Sequence, residues 1–537
     1  MPFTFHVEHF GCRAARADGE AVSDRLRAAG LGEGNPAAAD VVVVNTCSVT
    51  AEADRAARAF IRRAHRLNPA ARIVVTGCYA QRAPGELAGL AGVAAVVGNS
   101  HKALAPGIVL NLARDRALDW AGGLVGPPEL VSVESLVAGG AQASAPIWAD
   151  DRFAHSFLEE AQLVPGAQTR PNLKIQEGCG NRCTFCVIPQ TRGSSRSLPA
   201  VSVLKQVEGF VAAGGNELVL SGINLGRWGR DLSGSAHERT IRDSSFPTFS
   251  AEESGKDGAP GIFGAFRSGR SLTGLTLAGL VRQILEQTAL PRLRLSSIEP
   301  MDWDEELIGL MAEFGGMRQR SPSAGHTRLG RWGGRLARHA HLPLQSGSDA
   351  VLRRMHRRYR PWHYAEKVEA LVRAAGPELT LGADVMAGFP GETDGEFEET
   401  LELVRALPFG YLHLFPFSPR PGTRGWAMHA ERPVRAAVVE ERMGALRELA
   451  VEKSRTHRWC FVGRELEAIT LHTPAELEAR GWTAALTENF LPVELEARLT
   501  ANRLVRVRVT GLNAEGTLEA ALAEAGRTQY GAMAMSV

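Results

Sequence analysis

Residues 179 to 186 read Cys179-Gly180-Asn181-Arg182-Cys183-Thr184-Phe185-Cys186. No other feature constrains the chain as tightly as this C-x3-C-x2-C spacing. Cysteine thiolates are the usual ligands of iron–sulfur clusters. A cubane has four irons, so three cysteines leave one iron open to a small molecule. With this spacing that molecule is most often S-adenosylmethionine, held through its amino and carboxylate groups and cleaved by one electron at its sulfonium. The other use of clustered cysteines is zinc. Closed zinc sites draw four ligands from paired C-x2-4-C or histidine sets, and no second C-x2-C pair follows here.

The cysteine run comes directly after the first of six strand-like segments: Leu173 to Gln176, Glu217 to Ser221, Arg292 to Ile298, His341 to Gln345, Leu379 to Ala387 and Tyr411 to Phe417. Helix-period stripes separate most of them, such as Leu277, Leu280, Val281, Ile284 and Leu285. Six β/α units are too few to close an eight-fold barrel. They suit a partial barrel with an open side and its chemistry at the carboxyl ends of the strands. The candidate S-adenosylmethionine contacts are Phe185, able to stack on adenine or to fill core, the turn Gly214, Gly215 and Glu217, and Gln345. Glycines there permit close approach to a ligand, and each loop also reads as an ordinary turn.

A second set of cysteines is spread over the first hundred residues. Thr4 to Phe10 ends at Gly11-Cys12, Val41 to Val44 at Asn45-Thr46-Cys47, and Arg72 to Val75 at Thr76-Gly77-Cys78. Helical stretches intervene at Glu20 to Ala29, Glu52 to Leu67 and Pro84 to Leu90. Alternation of this kind implies a parallel sheet, and ligands collect beyond the carboxyl ends of such strands. Cys12, Cys47 and Cys78 are therefore expected to converge and hold a second cluster. Cys460, alone in Arg458-Trp459-Cys460-Phe461, reads as a buried packing residue.

The full chain has 537 residues, 44% hydrophobic and 22% charged, with a formal net charge of +2. That is an ordinary globular balance, and it provides no global field for a polyanion. No apolar run reaches the ~18 residues of a membrane span, and the amino terminus has no secretory pattern, so a cytoplasmic protein is expected. Seven cysteines in so long a chain do not describe a disulfide scaffold. The expected fold is α/β with three parts. An N-terminal parallel α/β domain spans 1–117 and a linker spans 118–165. A partial (β/α)6 barrel spans 166–432, with insertions at 234–271 and 314–340. A connecting helix at 433–460 leads to a small antiparallel β-barrel at 461–537. The second insertion carries Arg318, Arg320, Arg328, Arg331, Arg335 and Arg338 without acids, which suits either phosphate contacts or a solvated loop. In the tail, Val505, Val507 and Val509 alternate with Arg506 and Arg508. That basic face fits a nucleic-acid backbone, or a salt-bridged surface with Glu494 and Glu496 as partners.

Taken together, Gly11-Cys12, Asn45-Thr46-Cys47, Gly77-Cys78 and the triplet followed by Val187-Ile188-Pro189-Gln190-Thr191-Arg192-Gly193 resemble the radical S-adenosylmethionine methylthiotransferases. Similarity to the MtaB type within that family is carried by Leu220 to Gly226, Leu295 to Pro300 and Ser418 to Arg424. The resemblance covers nearly the whole chain outside the insertions. It implies two [4Fe-4S] clusters, one on Cys179, Cys183 and Cys186 and one on Cys12, Cys47 and Cys78. It also implies S-adenosylmethionine as methyl donor and radical source, a tRNA substrate, a one-electron reductant of flavodoxin or ferredoxin type, and a TRAM-like RNA-binding tail. The implied reaction is methylthiolation at C2 of N6-threonylcarbamoyladenosine beside the anticodon. Sister activities act on isopentenyl-modified adenosine or on a ribosomal-protein aspartate. A non-catalytic zinc-containing RNA-binding protein, or a radical enzyme with a small-molecule substrate, would share part of the pattern. The chain departs from the family after Cys12, where Arg13-Ala14-Ala15-Arg16 stands in place of the usual nearby Asn.

Overall fold

A computed structural model describes residues 3–121, 144–151, 153, 169–232, 276–316 and 334–523. Six strands build the first sheet: β1 (Thr4–His9), β2 (Gly32–Glu33), β3 (Val41–Thr46), β4 (Arg72–Gly77), β5 (Val93–Gly98) and β6 (Ile147–Trp148). Their order is β2-β1-β3-β4-β5-β6, and every pair is parallel. β3 is apolar on both faces because it lies in the middle of a sheet covered twice. Val42 and Val44 pack with Phe60 and Ile61 of the helix Ala51–Leu67, while Val41 and Val43 pack with Val22 and Leu26 of the helix Arg13–Ala28. Burying each such side chain contributes about 1.5–3 kcal/mol. Ile147 and Trp148 fall inside the stretch read as a linker, so its described part adds an edge strand to this sheet instead.

The second domain holds β7 (Asn172–Glu177), β8 (Arg196–Ser197), β9 (Glu217–Gly222), β10 (Arg292–Leu295), β11 (His339–His341), β12 (Thr380–Ala387) and β13 (Phe409–Pro416). Two sheets, β10-β9-β7-β8 and β11-β12-β13, are joined by a parallel bridge between Leu293 and Leu336. All pairs are parallel except β7 with the short β8. Six parallel strands thus form an open half-barrel, with one large core of Leu, Ile and Val between strands and helices. The proposed insertion at 234–271 lies outside the described residues. Of 314–340, the described ends belong to the barrel: Phe314 closes the helix Glu305–Phe314 and His339 opens β11. Arg335 and Arg338 are therefore not free for phosphate. Arg335 donates to the carbonyls of Leu285, Thr288 and Leu290, and Arg338 pairs with Glu378 and Glu488.

The helix Ala436–Trp459 leads to β14 (Glu465–Thr470), β15 (Thr483–Thr487), β16 (Pro492–Leu495), β17 (Leu504–Leu512) and β18 (Leu518–Leu522). These close into a barrel ordered β14-β15-β16-β18-β17, antiparallel except for β16 with β18. Val507 and Val509 face its core. Arg506 and Arg508 meet Glu465 at 3.4 and 2.6 Å, whereas Glu494 meets Arg480 at 3.5 Å. The acid opposite the basic strand is thus the cross-strand neighbour on β14, not Glu494 or Glu496. Cys460 is exposed, contrary to the sequence reading, because it caps the helix end on its outer side.

The two small domains sit at opposite ends of the half-barrel. The C-terminal barrel plugs the amino ends of the strands. Phe490 lies 4.4 Å from the His339 ring, Arg292 pairs with Glu467, and Asn216 donates to the Asn502 carbonyl at 2.8 Å. The N-terminal sheet turns its carboxyl edge toward the barrel's carboxyl edge. Asn99 Nδ2 donates to the Thr191 carbonyl at 2.9 Å, and Ala51 N–H donates to Ser418 Oγ at 3.0 Å. No helix among the described residues is long and apolar enough to cross a membrane.

Candidate functional site

Strand register brings the first cysteine set together. Asn45 on β3 lies between His9 of β1 and Thr76 of β4, and Thr46 is opposite Gly77. Cys47 and Cys78 therefore leave adjacent strands at the same level, and Cys12 enters from the β1 side to begin the helix Arg13–Ala28. Gly11 has φ +106°, and a Cβ there would lie 2.3 Å from the Cβ of Cys47. Glycine is thus required for the backbone to pass against that thiol. Burial pushes Cys47 up to about 12, and Cys78 and Cys12 beside it push the same way. Burial also raises Cys78, against the pull of Arg192. Asn99 Nδ2 sits 3.4 Å from Cys78 Sγ. Asn45 Nδ2 holds the Ala15 carbonyl in the first turn after Cys12, so amides from β3 and from beyond β5 serve this pocket.

The second set lies on the loop after β7. Cys179, Cys183 and Cys186 line one cavity of about 400 Å³ with Asn181, Gln190 and Thr423. The loop is held by backbone bonds: Cys179 N–H to the Gly193 carbonyl, Thr184 N–H to Met355, and Gly425 N–H to Thr184 at 2.7 Å. Arg357 Nη1 reaches Cys183 Sγ at 3.3 Å while its Nη2 grips both oxygens of Glu299 at 2.8 and 2.7 Å. Asn224 Nδ2 lies 3.5 Å from Cys179 Sγ. Burial lifts Cys186 to about 12, with Cys183 adding to it, and burial also raises Cys179.

Cys47, Cys78, Cys179 and Cys186 resist ionising on their own, Cys12 is exposed beside the first pair, and a coordinated metal deprotonates thiols outright. Both donor sets therefore fit a cluster with one iron free of protein ligands. A second feature fits a polar ligand beside the barrel cluster. Ser221 Oγ, Asn224 Oδ1, Ser296 Oγ and Gln345 Oε1 are buried without a hydrogen-bond partner among the described residues. All four gather at the carboxyl ends of β9, β10 and β11. An unpaired buried polar atom costs about 1–3 kcal/mol, so a rim of them marks where a polar molecule would pair. Gln345 also holds φ +66°, a costly conformation for a residue with a side chain.

Phe185 is half-buried against the barrel core, next to the cysteine cavity. Gly214, Gly215 and Glu217 lie at the amino end of β9, the far end from the cysteines. A loop that enters a parallel strand opens on the side away from the loop that leaves it. Glu217 is fully buried against Arg292, Arg294 and Arg170 at 3.1, 2.8 and 3.4 Å. That end faces the C-terminal barrel, and Gly214 accepts a bond from Asn502. These three are structural there and have no part in the cysteine mouth.

Between the cysteine pockets runs a buried charge cluster that sequence reading did not identify. Arg192 Nε lies 3.2 Å from Cys78 Sγ, and its Nη1 meets Asp18 at 3.0 Å and Glu177 at 2.7 Å. Lys102 and Lys174 each join the same two carboxylates. Three cations thus face two carboxylates, leaving one positive charge that a Cys78 thiolate would balance. Burial pushes Glu177 up, but Arg192, Lys102 and Lys174 outweigh it and hold it well below the usual carboxylate range. A lone buried charge would cost several kcal/mol, so the cluster is stable only while both domains contribute to it. Arg420 makes a second tie, reaching Asp54 at 2.6 Å next to Arg82 at 2.8 Å.

Fold and site together define a radical enzyme of the S-adenosylmethionine type with a second thiolate pocket on an added domain. Residues 4–98 match the family described as "Uncharacterized protein family UPF0004", and residues 328–404 match the Radical SAM superfamily. The threonylcarbamoyladenosine tRNA methylthiotransferase MtaB of Bacillus subtilis is 31% identical over 91% of this chain and 89% of its own length. The tRNA-2-methylthio-N(6)-dimethylallyladenosine synthase of a Parafrankia species is also 31% identical, over 95% of this chain and 84% of its own length. Among solved structures, the radical S-adenosylmethionine methyltransferase TsrM of Kitasatospora setae aligns over 80% of this chain and 75% of that one, at TM-score 0.45 and 14% identity. The chain belongs to the radical S-adenosylmethionine methylthiotransferase family, MtaB type.

Proposed function

We propose that this protein adds a methylthio group to C2 of N6-threonylcarbamoyladenosine next to the anticodon of tRNA. The observation that carries the reading is the facing of two three-cysteine sets across one domain interface, spanned by Arg192. An aromatic C–H bond is inert to acid–base chemistry, so a cofactor must carry the step. When bound, the clusters supply reductive cleavage of S-adenosylmethionine on one side and the sulfur to be methylated and transferred on the other.

The protein's own part is placement and exclusion of water. Cys179, Cys183 and Cys186 hold one cluster, and Cys12, Cys47 and Cys78 the other. Ser221, Asn224, Ser296 and Gln345 offer unpaired polar atoms to S-adenosylmethionine, and Phe185 lies close enough to serve its adenine. The open side of the half-barrel admits the modified base. The C-terminal barrel serves as a TRAM-like RNA-binding domain, and Arg508, 60% exposed, is its candidate phosphate contact. A flavodoxin- or ferredoxin-type protein supplies the electron, and the cytoplasm is the compartment where tRNA and reductant meet.

Nucleoside mass analysis of tRNA from cells with and without the protein tests this. The methylthio form of the threonylcarbamoyl nucleoside should disappear, leaving its unthiolated precursor, while dimethylallyl nucleosides stay unchanged. Unaltered methylthio-threonylcarbamoyladenosine would end the proposal.

A further inference from the structure

The inner wall of the half-barrel carries another constellation, in which no cysteine takes part. Side chains alternate faces along a strand. On β12, Leu381, Ala383 and Val385 join the core, so Gly382 and Asp384 turn to the other face. Register sets Asp384 directly opposite His413 of β13, and sets His341 of β11 beside Gly382. Three donors therefore meet on one patch. His341 Nε2 is 3.1 Å and His413 Nδ1 is 3.3 Å from the same oxygen, Asp384 Oδ1. All three donor atoms lie within 4.8 Å of one another.

An ordinary buried ion pair is the competing explanation, and three observations weigh against it. First, only His413 makes a hydrogen bond of good geometry to Asp384, whereas His341 Nε2 is left without an aligned one although the same carboxylate oxygen stands 3.1 Å away and its side chain is only 7% exposed. Partners made for each other align, whereas ligands converging on a third body need not. Second, a tetrahedral ion with bonds of about 2.0–2.1 Å has edges of about 3.3–3.4 Å between ligands, close to both measured separations. Third, the far nitrogen of His341 is already supported. Tyr411 Oη lies 3.4 Å from its Nδ1 and 2.8 Å from His339 Nε2. Metal-binding imidazoles are commonly fixed in this way through their other nitrogen. The Tyr411 ring occupies the space that a Cβ on Gly382 would fill, 2.1 Å from its Cζ, so glycine at that position makes room for the support.

We propose that His341, Asp384 and His413 form a site for a divalent transition metal of the zinc or ferrous class, separate from both cysteine pockets. Two imidazoles and one carboxylate on one face leave coordination positions open. His413 is 55% exposed and His341 buried, so the ion is reached from the open side and presents its free positions there. Those positions take an oxygen donor. Resting on the function proposed above, that donor is the carboxylate or hydroxyl of the threonylcarbamoyl group.

Zinc uptake by the full-length, anaerobically cluster-loaded protein tests the site without reference to tRNA. After dialysis against buffered Zn²⁺, metal analysis should find one zinc per chain beyond the iron. X-ray absorption at the zinc edge should show nitrogen and oxygen neighbours and no sulfur. His341→Gln and Asp384→Asn should each weaken zinc binding at least tenfold with iron unchanged. His413→Ala alters a half-exposed side chain and keeps the test valid if the buried variants do not fold. The variant Cys12→Ala/Cys47→Ala/Cys78→Ala should keep its zinc. Sulfur neighbours, zinc retained equally in the histidine and aspartate variants, or zinc lost with the cysteines would each overturn the proposal.

Discussion

Arg192 points its Nε–H at Sγ of Cys78 from 3.2 Å, although 114 residues separate them. Arg192 is fully buried, and its Nη2 has no partner among the described residues. The guanidinium therefore places a fixed positive charge and a spare donor at the auxiliary pocket. It also reaches Glu177, two residues ahead of Cys179. One side chain thus registers the two pockets against each other.

The potential of the auxiliary cluster should depend on that contact, because hydrogen bonds to sulfur and local charge set such potentials. Arg192→Gln removes the charge and should lower the auxiliary potential, with the barrel cluster unmoved. Methylthio transfer should fall about 10–100-fold, the usual cost of losing such a supporting contact. Redox titration followed by electron paramagnetic resonance reads both clusters in one sample. Equal shifts in both would reduce Arg192 to a general structural role.

Arg420 makes a separate mechanical prediction. It ties the barrel to Asp54 of the first domain through two bonds, at 3.0 and 2.6 Å. Arg420→Ala leaves Asp54 with Arg82 and should cost about 2 kcal/mol, as for loss of a hydrogen bond to a charged group. Adenosyl cleavage needs only the barrel and should continue, while sulfur delivery needs both domains in register. The ratio of methylthio product to 5′-deoxyadenosine should therefore drop. A ratio held constant while both products fall together would refute this role.

Glu217 gives the pH dependence. Burial pushes it up, but Arg294, Arg292 and Arg170 outweigh this and lower it to about 2 from 4.5. A lowered carboxylate contributes stability above its unfolded value and loses it as the pH falls through its folded value. The contribution is about 3 kcal/mol, fully present above about pH 4.5 and lost toward about pH 2. Thermal unfolding followed against pH should show this slope. Glu217→Gln should flatten it and also destabilise the protein at neutral pH, because buried arginines lose their partner.

Much of this was legible in the sequence, for reasons that can be named. Cys47 and Cys78 each follow a β-branched run and Cys12 follows an alternating one, and a parallel sheet needs such runs to end at one edge. Among the barrel strands, β9 and β12 were recognisable as apolar runs, whereas β11 is His339–His341 and overlaps the run read at His341 to Gln345 by one residue, because His-Ala-His carries no apolar stretch. Arg192 stands inside the run Val187 to Gly193, yet nothing local shows that it crosses to Cys78, since that contact exists only once two domains dock. Glu217 looked like a ligand residue because glycines precede it, but the loop enters its strand, so it faces the C-terminal barrel. Arg335 and Arg338 looked unpaired because their carbonyl and carboxylate partners lie tens of residues away. Cys460 looked buried by residue type, whereas a helix end left it exposed.

Iron and sulfide counting on anaerobically prepared protein tests the central claim most directly. Wild-type chain should hold about eight irons with matching sulfide, as two cubanes require. Cys183→Ala and Cys47→Ala should each hold about four, the first without adenosyl cleavage and the second with it. A wild-type chain that saturates at about four irons, or a Cys47→Ala variant that loses none, would contradict two separate clusters on one shared face.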